Sequence, residues 1–295
     1  MRNKISFGLY LMTAKGLATL QSFIKDIDSS YVAYVVVAKD LNVTKDYYDE
    51  IVELTTRLQI AVYERNQTPP PASHLIAVSW RWLIKPSIEQ QLIVFHDSIL
   101  PRYRGFAPLV GALINGEKYL GVTALLASEE YDRGAIIDQD FFEVEYPLKV
   151  AKAIDLLTPC YKNLAIKIAD KIIHQRMTSS PQNENEASYS LWRDEDDYYI
   201  DWTLDSHYIQ RFVDALGFPF KGAATTVEGE TLRIRDCIAL PDVNIENRNA
   251  GKVIFMQGDY PVVVCGKGLI KILSITRDSS LENILPLSKF RTRFI

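Results

Sequence analysis

The stretch LIVFHDSILPRYRGFAPLVGALINGEKYLGVTALLASEEYDRGAIIDQ, Leu92 to Gln139, decides how this chain folds. It opens on Leu92-Ile93-Val94-Phe95, an apolar run of the kind found in parallel strands buried on both faces. The run ends at His96-Asp97-Ser98 and a turn-rich segment closing at Arg104-Gly105. A helical segment, Ala107 to Ile114, follows and stops at Asn115-Gly116. A second strand, Gly121 to Ala127, leads into the turn Ser128 to Gly134, and a third, Ala135 to Phe142, leaves it. In an open α/β sheet, ligands bind beyond the carboxyl ends of the strands. A histidine at one such end and Asp132 in the turn after a neighbouring strand make an acid/base pair from distant positions.

Upstream, strands are expected over Ile5 to Leu11, Tyr31 to Ala38, Ile60 to Tyr63 and Leu75 to Trp80. Helices are expected from Lys15 to Ile24 and from Lys45 to Leu58. This alternation predicts an α/β domain: a Rossmann-like open parallel sheet with helices on both faces. The turn after the first strand is not glycine-rich, since Gly8 and Gly16 stand alone, so a dinucleotide site is rejected. Leu148 to Met177 reads as a long amphipathic helix closing a domain of residues 1–178. Residues 179–187 turn abruptly polar and read as a linker. Residues 188–295 hold one helix, Ser206 to Leu216, and short strands: Ala224 to Ile238, Gly251 to Met256, Val262 to Cys265 and Leu269 to Thr276. The acidic run Asp194 to Asp197 reads as a solvated loop.

Composition sets outer bounds. The 295 residues are 47% hydrophobic and 24% charged, with a formal net charge of −4, so no global basic field recruits nucleic acid. The 3 cysteines are scattered and lack metal spacing, which fits a reducing compartment. The sequence shows no apolar leader and no run of membrane-spanning length, so a cytoplasmic protein without membrane partners is expected.

The central stretch resembles the catalytic core of the folate-dependent formyltransferases. That family's pattern is Asn-x-His, a short run ending Leu-Pro-x-x-Arg-Gly, a Gly-Val-Thr strand and an Asp-x-Gly turn. The matches are His96, Ser98, Leu100-Pro101, Tyr103-Arg104-Gly105, Ala107-Pro108, Asn115-Gly116-Glu117, Gly121-Val122-Thr123, Asp132 and Gly134. The closest likeness is to the sugar N-formyltransferases, and it extends to a small, mostly-β C-terminal barrel-like domain entered at Ile200-Asp201-Trp202. One departure matters: Val94 stands where the family carries its catalytic asparagine, and valine cannot hydrogen-bond an oxyanion.

The resemblance implies formyl transfer from 10-formyltetrahydrofolate to an amine, with no metal. His96 and Asp132 would be the catalytic residues. Trp82, Leu83, Ile84, Leu100, Ala127, Glu129 and Tyr131 would border the cofactor, and Tyr10, Ser98, Tyr103 and Arg104 would meet the substrate. It also implies a homodimer through the C-terminal region. Two acceptors fit the family: a nucleotide-linked amino sugar of bacterial surface glycan biosynthesis, or methionyl-tRNA. From Glu186 onward there are 13 Lys+Arg against 16 Asp+Glu, a net of −3. A tRNA-binding region should be basic, so the sugar is expected. A third reading, a catalytically impaired folate- or sugar-binding homologue, rests on Val94 alone.

Overall fold

The computed structural model describes residues 5–41 and 43–295. The chain falls into two compact units. One holds the residues up to Leu109 with Tyr119–Glu143 and Ile154–Leu191; the other holds Val110–Lys118, Val144–Ala153 and Trp192–Ile295. The polar stretch 179–187, expected as a linker, lies inside the first.

The elements run β1 (Phe7–Leu11), α1 (Thr13–Ser22), β2 (Val32–Val37), α2 (Tyr48–Arg57), β3 (Val62–Glu64), β4 (His74–Val78) and β5 (Gln91–His96). There follow β6 (Arg104–Gly105), α3 (Pro108–Asn115), β7 (Tyr119–Leu126), β8 (Ile136–Glu143), α4 (Val150–Ile173) and β9 (Tyr189–Ser190). Seven strands form one sheet in the order β3-β2-β1-β4-β5-β7-β8. Phe7, Leu9, Leu11, Val35, Val37, Ile76, Val78 and Ile93 are enclosed completely, which explains why these strands read as unbroken apolar runs. α4 buries Leu157, Tyr161, Leu164, Ile168 and Ile172 on one stripe, while its internal Pro159 faces out.

The sheet corrects one expectation. It is parallel from β3 to β5, but β7 runs antiparallel to both β5 and β8. A parallel β7 would need its connection to return to the far end of β5. Instead, residues 97–118 are used by the turn after His96, by β6 and by α3. The chain then re-enters the sheet at the same end, with Thr123 opposite His96 and Leu126 opposite Ile93.

The second unit contains α5 (Ser206–Leu216), β10 (Ala223–Val227), β11 (Glu230–Leu240), β12 (Val253–Gln257), β13 (Tyr260–Val264) and β14 (Leu269–Arg277). The Asp205 carboxylate caps α5 by accepting the His207 N–H at 2.8 Å. The strands make an antiparallel sheet in the order β10-β11-β14-β13-β12. The single strand expected over Ala224 to Ile238 is two, because Glu228 and Gly229, at φ +49° and +85°, turn the chain between β10 and β11. Arg233, 1% exposed, is ion-paired with Asp278 at 2.7 Å and with Glu195. The acidic run expected as a solvated loop therefore supplies a counter-ion to a buried arginine. Among the described residues, no helix is long and apolar enough to cross a membrane.

Candidate active site

His96 ends β5 and is 7% exposed. Its Nε2 lies 2.8 Å from the carbonyl oxygen of Tyr103. A carbonyl only accepts, so Nε2 carries a proton in this arrangement. Its Nδ1 lies 3.4 Å from Asp132 Oδ1. The other carboxylate oxygen of Asp132 accepts the Gly105 N–H at 2.8 Å. The acid/base pair read from the sequence is therefore brought together, with the imidazole clamped between a carbonyl and a carboxylate.

Asp132 does not arrive as the sequence suggested. Because β7 runs against β5, the turn after β7 begins level with Leu92, where the Ala127 N–H donates to the Leu92 carbonyl at 2.9 Å. His96 is four residues, about 13 Å, further along β5. Residues 127–132 lead back toward it, and Asp132 sits in the left-handed region at φ +56°. Two glycines allow the close approaches. A Cβ on Gly134 would fall 1.7 Å from the Leu126 carbonyl oxygen, and one on Gly105, at φ +98°, 2.6 Å from the Ser190 carbonyl oxygen.

The turn after His96 is cross-braced. Ser98 Oγ donates to the Arg102 carbonyl at 2.7 Å. Thr123 Oγ1 donates to the Ser98 carbonyl at 2.7 Å and accepts the Leu100 N–H at 3.1 Å, while Gln139 Nε2 donates to the Leu100 carbonyl at 2.9 Å. Arg104, expected to meet substrate, is enclosed at 0% exposure. Its guanidinium donates to Gln182 Oε1 at 3.0 and 2.8 Å and to both carboxylate oxygens of Glu184 at 2.9 Å. The hydrogen bonds with Glu184 hold the arginine still more firmly charged. A substrate contact by Arg104 would require those bonds to break. Ser98 and Leu100 are likewise buried within this bracing.

The other expected contacts divide by exposure. Leu83 (73%) and Tyr131 (73%) are exposed, as are Ala127 and Glu129; Trp82, Ile84, Tyr10 and Tyr103 are half-buried. The Trp80 and Trp82 rings meet edge to face at 5.3 Å, Tyr10 packs on Trp80 at 5.2 Å, and the Arg65 guanidinium lies 4.6 Å over Trp82. Tyr10 is hydrogen-bonded to Tyr34, and burial raises its hydroxyl pKa above the ordinary value. The sequence reading missed Gln182, Glu184 and Ser188, which lie in a stretch without periodicity. Ser188 Oγ accepts the Tyr103 N–H at 2.9 Å, and β9 pairs with β6.

Val94 faces the same side of the sheet as Leu92, packed with Tyr10, Trp80 and Ile84 against Tyr34, Leu75 and Ala77. We expect Val94→Asn to raise turnover at this site by adding a donor two residues from His96. We expect it also to lower the melting temperature, because an amide facing this cluster unpartnered costs about 1–3 kcal/mol. Steady-state turnover beside a thermal melt checks both. A lowered melt with unchanged turnover would show that the site has no use for a side-chain donor there.

A family model described as formyl transferase matches residues 78–152, and one described as formyl transferase, C-terminal domain, matches residues 193–284. The chain belongs to the formyltransferase family. A methionyl-tRNA formyltransferase of Nitrosomonas europaea is 30% identical over 181 residues, covering 61% of this chain and 56% of its own. The N-formyltransferase from Helicobacter canadensis, solved with folinic acid and dTDP-3-aminofucose, superposes over 91% of this chain and 99% of its own. The TM-score is 0.70 and the identity 17%. WlaRD, a sugar 3N-formyl transferase solved with dTDP and 5-N-formyl-THF, superposes over 91% and 97%, with a TM-score of 0.69 and 16% identity. Identities of that size show a shared fold. The chain spans less than two thirds of the length of the methionyl-tRNA formyltransferases from Nitrosomonas europaea and Lactococcus lactis that it matches, 56% and 58%.

Proposed function

We infer that this protein moves a formyl group from a 10-formyltetrahydrofolate donor to an amine, and that the amine belongs to a nucleotide-linked amino sugar. The observation that carries the first part is the His96–Asp132 pair, held at 3.4 Å at the end of β5 in a chain of the formyltransferase family. The exposed residues suit a folate. Leu83 and the half-buried Trp82 offer an apolar wall to a flat ring, and residues 127–131 leave an exposed edge on the way to Asp132. When bound, the folate supplies the activated formyl group.

The chain's own part is proton handling. An attacking amine must lose a proton, and Asp132 is the acceptor at hand, with Oδ2 steadied by the Gly105 N–H. His96 Nδ1 and Asp132 Oδ1 then hold that proton between them, while Nε2 keeps its own on the Tyr103 carbonyl. Tyr103 and Gly105 lie on one short segment, so a shift of that segment moves both contacts together.

The acceptor reading rests on charge: residues 186–295 carry a net of −3, which repels a nucleic acid. The fold shared with sugar N-formyltransferases supports it, and the methionyl-tRNA formyltransferase relatives support the other choice. Incubation with 10-formyltetrahydrofolate and either charged initiator tRNA or a panel of amino-sugar nucleotides, read by mass spectrometry, decides between them. We expect a formylated amino sugar. Efficient, salt-sensitive formylation of the tRNA would overturn the choice.

A further inference from the structure

We propose that Gln182 is a positioning residue for Asp132, so that the polar segment after α4 is a working part of the catalytic site. The inference rests on the formyl-transfer reading above. The side chain makes four hydrogen bonds. Its Oε1 accepts from Arg104 Nε at 3.0 Å and Nη2 at 2.8 Å; its Nε2 donates to the carbonyls of Asp132 at 2.6 Å and Gly134 at 2.8 Å. Arg104 has only donors to offer, so it fixes which end of the amide is oxygen. The NH2 end must then face the two carbonyls.

These four bonds close a ring around the catalytic carboxylate. Arg104 orients the Gln182 amide, the amide holds the backbone on either side of Arg133, and the Gly105 N–H, next along the chain from Arg104, holds the Asp132 side chain at 2.8 Å. Backbone and carboxylate of Asp132 are thus tied to one dipeptide, itself paired with β9. The tether answers a need the sheet creates. Asp132 lies on a return loop, where no strand register fixes its height relative to His96. Its left-handed backbone, at φ +56°, is a conformation that a free loop leaves readily.

The test uses the full chain with Gln182→Glu, which is nearly isosteric. It keeps acceptors for Arg104 and removes the donor to the two carbonyls, so carboxylate oxygen faces carbonyl oxygen. We expect turnover to fall by about 10- to 100-fold, the scale of a misplaced catalytic group. KM for both substrates should stay within about twofold, and the long-range 15N signals of the His96 imidazole should shift as Asp132 leaves Nδ1. Gln182→Met, which offers neither donor nor acceptor, takes the same measurements should the glutamate variant fail to fold. Wild-type turnover with unmoved His96 signals would overturn the proposal. So would a loss of turnover that follows a collapsed melt while the His96 signals stay in place, because that is a purely structural role. If the wild-type chain formylates no amine, the functional reading fails, yet the His96 spectrum still decides whether Gln182 sets Asp132.

Discussion

Alanine at His96 is expected to lower formyl transfer by about 100- to 10,000-fold, the range associated with a positioned acid/base group. The imidazole bridges the Tyr103 carbonyl and the Asp132 carboxylate. Alanine leaves both acceptors facing a gap and gives the amine's proton no ring to share. Asp132→Ala should fall by a similar factor, because it removes the carboxylate and releases the Gly105 N–H. Asp132→Asn is the sharper variant: an amide oxygen still accepts from Gly105, while the charge beside Nδ1 is gone. Since the pair acts as one unit, the double variant should be little slower than either single. Turnover and thermal melts for the four proteins check this. A His96→Ala protein with wild-type turnover and a normal melt would remove His96 from the chemistry.

The second large effect is on stability. Lys15, at the start of α1, is 8% exposed and ion-paired with Asp97, which also accepts a hydrogen bond from the Tyr161 hydroxyl of α4. One carboxylate thus ties the end of β5 to two helices. Burial alone would raise the Asp97 pKa, but the Lys15 charge and the two hydrogen bonds outweigh it and hold the carboxyl below its ordinary value of 3.8. Burial, and then Asp97 itself, push the Tyr161 hydroxyl well above its usual value. Lys15→Met is expected to cost about 3 kcal/mol, because it strands a mostly buried carboxylate without its cation. Asp97→Asn should also destabilise, and Lys15→Met with Asp97→Asn together should recover part of the loss.

The pH dependence has a definite sign. A depressed carboxyl contributes stability that is present above its unfolded value and lost as pH falls through the lower folded value. Without Lys15, burial raises the Asp97 carboxyl above 3.8, so the gap between wild type and Lys15→Met should be full above that raised value and close as pH falls from it toward the depressed wild-type value. Melts from pH 3 to 8 measure it, and a gap that stays constant to the acid end would show that Asp97 is not the group responsible.

The candidate site was legible where residue types are distinctive. His96, Asp132 and the glycines at 105 and 134 stand out because few other residue types can exchange a proton or pass so close to a carbonyl. The parallel strands were legible too, since burial on both faces leaves an apolar run. The direction of β7 was not. A strand's residues report its burial, whereas its direction depends on how much chain residues 97–118 use before re-entering the sheet. The partners of Arg104 and Gln182 were hidden for a related reason. A polar residue's partners lie far along the chain, here 78 positions away, and nothing local distinguishes a guanidinium that binds substrate from one enclosed by a glutamine. The residues after α4 have the composition of a spacer, and only their partners show otherwise.

The clamp on His96 has a consequence for how the ring can move. Turning the imidazole half a revolution about its Cβ–Cγ bond would bring carbon atoms against the Tyr103 carbonyl and the Asp132 carboxylate, giving up both nitrogen contacts at once. The ring is therefore held in one orientation: Nδ1 stays toward the Asp132 carboxylate, where a proton can be shared, while Nε2 keeps its own on the Tyr103 carbonyl.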